Sequence, residues 1–415
     1  MTAIDEIREG DLAAGIVPRS AYYDPDVLEL EKKRIFERSW HYVCTVHDLK
    51  KAGDYFTVTV ADQAVMVVRG NDGQLRAFYN ACTHRGALLT ESKCGSTGQI
   101  FKCMYHAWAF DLTGDLVAVP YPEDYPADFK RENFRLTPVS VDTFGDLVFV
   151  ALRPKVESLQ EYMGEMWEWL LPYITGIEPI GRNSWVYGGN WKLWHENFRD
   201  NYHPEFTHRQ IHDMTPHYAD RGGNWAKQPG HSILMWRAEK PNMKRYERSL
   251  QRLSGIKFDM PEGALGLQET DVVQGEVAEL DQTVIALYPN LDIQPGPAGA
   301  EGWAEKQGFI QVVTPLTPST ARVDLIVYSD VNDTPEEREL LLETLADMQG
   351  SWGKLSVDDA EAAYRCHNGI LGQGHRTNLF TRTDGPGTSS DTSGRTEYSQ
   401  REFYRVYQQY MADES

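Results

Sequence analysis

The sequence predicts an α+β fold in two parts, an N-terminal all-β domain and a larger C-terminal domain of mixed antiparallel sheet and helix. Three observations predict it. The chain has 415 residues, more than one ordinary core organises, so two domains are expected. From Asp54, DYFTVTVADQAVMVVRGNDGQLRAFYN alternates β-branched and aromatic residues with polar ones, the period of half-buried strands. Beyond residue 156, stretches of helical period and strand period follow one another.

Residues 1–40 form a polar arm and a short helix, DPDVLELEKKRIFERSW, with Val27, Leu28, Leu30, Ile35 and Phe36 as its apolar positions. Residues 41–155 are the all-β domain. Asn71-Asp72-Gly73 supplies turn chemistry between two of its strands, and QIFKC and FGDLVFVALRP supply further strands. VESLQEYMGEMWEWLLPYI reads as a joining helix over 156–176. The larger domain, 177–415, has strand signals at HSILMWRA and TVIALYPNLDI and a hairpin in GFIQVVTPLTPSTARVDLIVYSDV. Thr334-Pro335-Glu336-Glu337 combines an N-cap, a first-turn proline and a capping-box glutamate; the helical region it starts runs to about Gly369, interrupted near Gly350-Ser351. TDGPGTSSDTSGRT (383–396) is a polar loop, and EYSQREFYRVYQQYM is a closing helix.

The net charge of −20 argues against nucleic acid and anionic membrane as partners, because both reward positive charge. No apolar run approaches the roughly 20 residues of a membrane helix, and MTAIDEIREGDL lacks the apolar core of a secretory signal. Five cysteines, Cys44, Cys82, Cys94, Cys103 and Cys366, suit a reducing, cytoplasmic setting, as thiols or metal ligands before disulfides.

One stretch of the β domain carries chemistry. NACTHRGALLTESKCGSTGQIFKCMYHAWAFDLTG holds Cys82-x-His84, eighteen residues, then Cys103-x-x-His106. Each pair offers one thiolate and one imidazole. Structural zinc prefers C-x-x-C pairs. A Rieske 2Fe–2S cluster explains the segregation better, since one iron takes two cysteines and the other two histidines, so each loop must reach both irons. Neutral histidine in place of thiolate raises the potential to roughly −150 to +300 mV, which suits an electron relay. Gly86 gives backbone room, Tyr105 is positioned to approach a cluster sulfur, and Cys94 reads as a bystander.

With these residues, and with IFERSWHYVC, AFYNACTHRGA and YHAWAFDLTG, the sequence resembles the large (alpha) subunit of the Rieske non-haem iron ring-hydroxylating oxygenases over nearly the whole chain. A second histidine-bearing stretch then acquires a role. GGNWKLWHENFRDNYHPEFTHRQIHDM reads as helical over 191–210, with His203 and His208 as metal candidates. On a regular helix, residues five apart point about 140° away from each other, so the helix must be distorted, by Pro204 or by a π-type turn. Two histidines and a carboxylate make the facial triad that holds Fe(II) with positions left open. The resemblance places the third ligand on a later helix, in SVDDAEAAYRCHNGIL, where Asp359 is favoured and Asp358 held in reserve; Tyr364 stands where family members often carry glutamate. It also makes Asp200 a bridge between His203 of its own chain and His106 of another copy. Asn197 is expected close to the iron, with no role assigned. Trp194, Phe206 and Trp236 line an apolar pocket or pack in the core, while His212, His217 and His231 are not expected to be ligands.

The resemblance further implies one cluster and one mononuclear Fe(II) per chain, acting on O2 and a small aromatic substrate, with an aromatic acid favoured. Electrons would come from NAD(P)H through a separate reductase, with or without a ferredoxin, since the chain shows no dinucleotide or flavin motif. A head-to-tail homotrimer, with or without a beta subunit, completes the expectation. The alternatives are a Rieske monooxygenase demethylating a quaternary ammonium or methoxy compound, a Rieske electron carrier, and a zinc scaffold.

Overall fold

The computed structural model describes residues 2–153, 157–200, 203–208, 217–226, 230–239, 279–295, 306–372, 376–380, 390–391 and 397–412. The chain divides into two compact units, Lys32–Met163, and Met1–Glu31 together with Gly164–Ser415.

The smaller unit is built on antiparallel sheet. Seven strands lie in the spatial order His41–Thr45, Leu147–Ala151, Pro138–Phe144, Leu75–Tyr79, Gln63–Arg69, Asp54–Val60 and Cys94–Ser96. Ile100–Lys102, Ala109–Asp111 and Leu116–Ala118 make a separate three-stranded sheet. The alternating stretch from Asp54 is three strands. Its second turn sits at the predicted Asn71-Asp72-Gly73, where Gly73 adopts a φ of 78° and Asp72 accepts from the Gln74 amide and the Arg76 guanidinium. Its first turn, at Ala61-Asp62, has φ of 47° and 63° and carries no glycine or asparagine to announce it. Tyr55, Met66, Phe78, Phe101, Trp108 and Phe110 form a core into which Cys82 and Cys103 are buried.

In the larger unit an eight-stranded antiparallel sheet runs Ile177–Tyr187, Thr320–Asp330, Gly308–Thr317, Leu291–Pro295, Glu279–Leu287, Ser232–Glu239, His217–Ala226 and Ser390–Asp391. The hairpin expected from Gly308 is present, with Gly308 opposite Tyr328. The Ile177–Tyr187 strand carries no signal in the sequence, for a physical reason. It lies at the edge of the sheet, is mostly unburied, and is bulged between Pro179 and Gly181, so it lacks the apolar alternation of an inner strand. The predicted capping box is present: Thr334 accepts from the Glu337 amide, and the Glu337 side chain reaches back to Thr334. That helix, Pro335–Gln349, ends before Gly350, and a second runs Lys354–Ile370. The joining helix expected over 156–176 is two short ones, Leu159–Met163 and Met166–Leu170, separated at Gly164, whose φ is 50°.

The first 31 residues belong to the larger unit, fastened by buried polar bonds. Glu31 accepts from Lys192 Nζ at 2.5 Å, Trp191 Nε1 at 2.9 Å and the Tyr407 hydroxyl at 2.6 Å. Removing one partner of such a buried pair costs about 3–5 kcal/mol, so the arm, the Trp191–Asn197 helix and the closing Tyr398–Ala412 helix are held as one body. Tyr22, Glu196 and Tyr404 repeat the pattern. Burial pushes the Glu196 carboxyl up to about 7, against the pull of both tyrosine hydroxyls and Lys192.

Candidate metal centres

In the smaller unit Cys82–Ala87 and Cys103–Trp108 fold alike. The Cys82 amide donates to the Ala87 carbonyl and the Gly86 amide to the Cys82 carbonyl, both at 2.8 Å; Cys103–Trp108 and Ala107–Cys103 repeat these bonds at 2.8 and 3.0 Å. The fifth residue of each loop is left-handed, Gly86 at φ 75° and Ala107 at φ 57°. Glycine takes that conformation without cost, whereas an alanine carries strain. Two matched turns thus present one thiol and one imidazole each, and the four groups meet. The Cys82 and Cys103 thiols are close enough to influence each other's ionisation, and the His84 and His106 rings lie 4.6 Å apart.

Trp108 stacks flat on His84 at 4.8 Å and 8°, and its Nε1 donates to the Tyr125 hydroxyl at 3.0 Å. The Tyr105 ring lies 3.9 Å from that of His106. Burial raises the Cys82 thiol, with smaller effects from Cys103. Burial, then His106 and Arg85, lowers the His84 imidazole, and among the described residues His84 Nδ1 is buried with no hydrogen-bond partner. Two buried thiols, two imidazoles and an unpartnered ring nitrogen fit the donor set of a 2Fe–2S cluster with mixed ligands.

The second site lies in the larger unit. The helix expected over 191–210 is not continuous: Trp191–Asn197 is one helix and Pro204–Thr207 another. Proline occupies the first turn of the second helix, where its missing amide costs nothing, so it starts a helix instead of distorting one. His203 is the N-cap and His208 the C-cap of this single turn. Standing at its two ends, they converge, with ring centroids 5.4 Å apart.

The Lys354–Ile370 helix brings the acids. Asp359 Oδ1 lies 3.1 Å from His208 Nε2 and 3.7 Å from His203 Nε2. The three residues can offer ligand atoms all within 4.8 Å of one another, and among the described residues they are the group of this kind. Asn197 Nδ2 donates to the same Asp359 oxygen at 3.2 Å. Asp200 Oδ1 accepts from the amide and Nδ1 of His203, each at 3.0 Å. Asp358 faces the other edge of His208, Oδ2 to Nδ1 at 3.3 Å. Burial alone would lower the His203 imidazole, but the charges of Asp200 and Asp359 and the Asp200 hydrogen bonds raise it. Two imidazole Nε2 atoms facing one nearly buried carboxylate fit the donor set of a facial triad.

A buried network that sequence spacing could not reveal supports the segment before Asp200. His195 Nδ1 is 2.8 Å from Asp292, and its Nε2 meets Arg199 Nη2 at 2.9 Å. Because guanidinium only donates, His195 is a neutral imidazole with its proton on Nδ1, and burial favours that form. Arg199 also donates to the Gly230 carbonyl and the Ser232 hydroxyl. Of the apolar candidates, Trp194 is buried and donates to Gln311 at 3.0 Å, so it packs in the core. Phe206 is 72% exposed. His231 is buried and accepts from the Tyr288 amide. His212, the side chains of His217 and Trp236, and nearly all of the 383–396 loop lie outside the described residues.

Paired thiols and imidazoles in one unit, with a histidine pair on a carboxylate in the other, define a Rieske-type non-haem iron oxygenase. Residues 39–141 match the Rieske [2Fe-2S] domain, and residues 175–413 the ring hydroxylating alpha subunit catalytic domain. The chain belongs to the ring-hydroxylating oxygenase alpha subunits and is an oxidoreductase. The subunit alpha of 2-aminobenzenesulfonate 2,3-dioxygenase from Alcaligenes sp. is 29% identical over 403 residues, covering 94% of this chain and 92% of that protein. The terephthalate 1,2-dioxygenase terminal oxygenase component subunit alpha 2 of Comamonas sp. is 27% identical over 428 residues, covering 96% of each. A solved quaternary ammonium Rieske monooxygenase has the same fold, with a TM-score of 0.76 at 20% identity over 95% of both chains. Among the described residues no helix is long and apolar enough to cross a membrane.

Proposed function

We propose that this chain is the terminal oxygenase component that hydroxylates a small aromatic acid, with His203, His208 and Asp359 holding ferrous iron and Cys82, His84, Cys103 and His106 holding the cluster. The observation that carries the reading is the convergence of both Nε2 atoms on Asp359 Oδ1. When bound, the cluster supplies single electrons and the ferrous ion the open positions at which O2 oxidises a substrate.

The chain's own residues prepare that site. Asn197 holds the Asp359 carboxylate by one oxygen. Asp200 fixes the His203 ring through Nδ1, keeping the lone pair on Nε2, where a metal ligand needs it. By resemblance, the same Asp200 is the contact to His106 of another copy, which requires an oligomer, here a homotrimer with or without a beta subunit. NAD(P)H would act through a separate reductase or ferredoxin, in the cytoplasm. The choice of an aromatic acid rests on the relatives that match nearly end to end, whose names specify a ring bearing a sulfonate or carboxylates.

The test supplies the purified, iron-loaded chain with a surrogate reductase and follows O2 uptake with product. Anthranilate, terephthalate and aminobenzenesulfonate are compared with trimethylammonium compounds and uncharged arenes. Product from one or more of the acids, matched to O2 consumed, is expected. Coupled uptake only with trimethylammonium compounds would replace this reading with the demethylase, and an iron content of about two per chain rather than about three would replace it with the electron carrier.

A further inference from the structure

The two candidate ligand histidines each have carboxylates facing both ring nitrogens. His203 gives Nδ1 to Asp200 at 3.0 Å, and His208 gives Nδ1 to Asp358 at 3.3 Å, while both Nε2 atoms face Asp359. Asp358 and Asp359 are consecutive on a helix, so their side chains diverge by about 100°. They straddle the His208 ring, one carboxylate at each nitrogen. This geometry excludes Asp358 as a substitute ligand beside Asp359, because the ring separates the two. Asp358 therefore needs a role other than that of a ligand.

We propose that Asp358 is the positioning residue of His208. Its carboxylate accepts the Nδ1 proton, selects the tautomer with a lone pair on Nε2 and fixes the ring's rotation toward Asp359. The inference rests on the ferrous reading of the site. It makes the site two parallel assemblies, Asp200–His203 and Asp358–His208, that share Asp359. They differ in exposure, since the Asp200 side chain is 13% exposed and that of Asp358 43%. Solvent weakens an exposed charge, so Asp358 acts by hydrogen-bond geometry more than by charge. An orienting partner of a metal histidine is worth about 10–100-fold in metal affinity, and the low end is expected here.

The experiment measures Fe(II) affinity of the cluster-loaded protein by competition with a chromophoric chelator. Near-infrared magnetic circular dichroism of the bound ferrous ion is read in parallel. Asp358→Ala should weaken Fe(II) binding about 10-fold and shift the ligand-field bands. Asp358→Asn, which keeps an acceptor oxygen, should stay within about threefold of wild type with bands close to it. Cluster absorption and thermal midpoint should hold in both. Wild-type affinity and bands in Asp358→Ala would overturn the proposal, as would an Asp358→Asn as defective as the alanine, which would put the effect in the charge. Asp359→Ala separates the two levels. If it loses iron, the ligand reading stands whatever Asp358 does; if it keeps iron, the ligand reading fails and the Asp358 proposal fails with it.

Discussion

The two candidate metal sites of this chain are assembled in opposite ways. In the smaller unit each half of the donor set is a six-residue loop closed by its own backbone bonds, and the pattern of the first loop is repeated in the second. In the larger unit the histidines sit at the ends of a single helical turn, while their shared acid comes from a helix about 150 positions later. A local loop carries its geometry with it. A site drawn from distant helices depends on packing for every angle, and supporting groups surround it accordingly: Asn197 on Asp359, Asp200 on His203, and the Asp292–His195–Arg199 network beneath.

The sharpest way to break the comparison is to remove one site and examine the other. Cys103→Ser should abolish turnover and the visible cluster absorption, reducing iron from about three to about one per chain. Loss of the remaining iron as well would show that the two sites are not built independently.

A smaller change tests their connection. Asp200→Asn keeps size and an acceptor oxygen but removes the charge. Both metal sites should fill normally while product formation falls about 100-fold, the upper range for an orienting group of a metal histidine. Wild-type turnover in that variant would remove Asp200 as a bridge.

The smallest expected effect concerns the frame. The Glu196 carboxyl is raised from the ordinary glutamate value to about 7, so the folded chain retains a proton that the unfolded chain has lost. Its stabilising contribution is complete below about pH 4.5, declines as pH rises, and is gone above about 7, a loss of roughly 3 kcal/mol. Glu196→Gln should therefore flatten the stability profile between about pH 5 and pH 8 relative to wild type, measured by chemical denaturation of the two proteins side by side. Parallel profiles would show that the buried acid does not titrate in that window. The iron content of this variant should match wild type, because the Glu196 side chain bonds to tyrosines and not to the candidate ligands.

Much of this was legible in the residues. Cys82, His84, Cys103 and His106 were readable because their spacing is the spacing of two short loops. The capping box at Thr334 was readable for the same reason, each bond spanning three residues. The Ala61-Asp62 turn was not, since alanine resists a positive φ and no glycine follows Asp62 to complete the signal, and the edge strand Ile177–Tyr187 hid behind polar residues that face solvent. The histidine pair was singled out, and its two rings do converge, but not by the expected route: Pro204 opens a new helix where a distorted one was expected. Between Asp358 and Asp359 only the resemblance offered a preference, for Asp359, because two adjacent aspartates are chemically identical until a helix is rotated against its neighbours.

By itself, then, the sequence determined the family and the two-part α+β organisation, and it singled out the two loops and the histidine pair as candidates. Each of these is written in interactions between residues near in the chain, or in the residue types that metal chemistry demands. Tertiary structure alone decided which aspartate faces both Nε2 atoms, which histidine is a buried neutral support, and why Trp108 lies flat on His84. Those outcomes depend on how helix faces and aromatic rings pack across long separations, and side-chain packing sets them only once the core has closed.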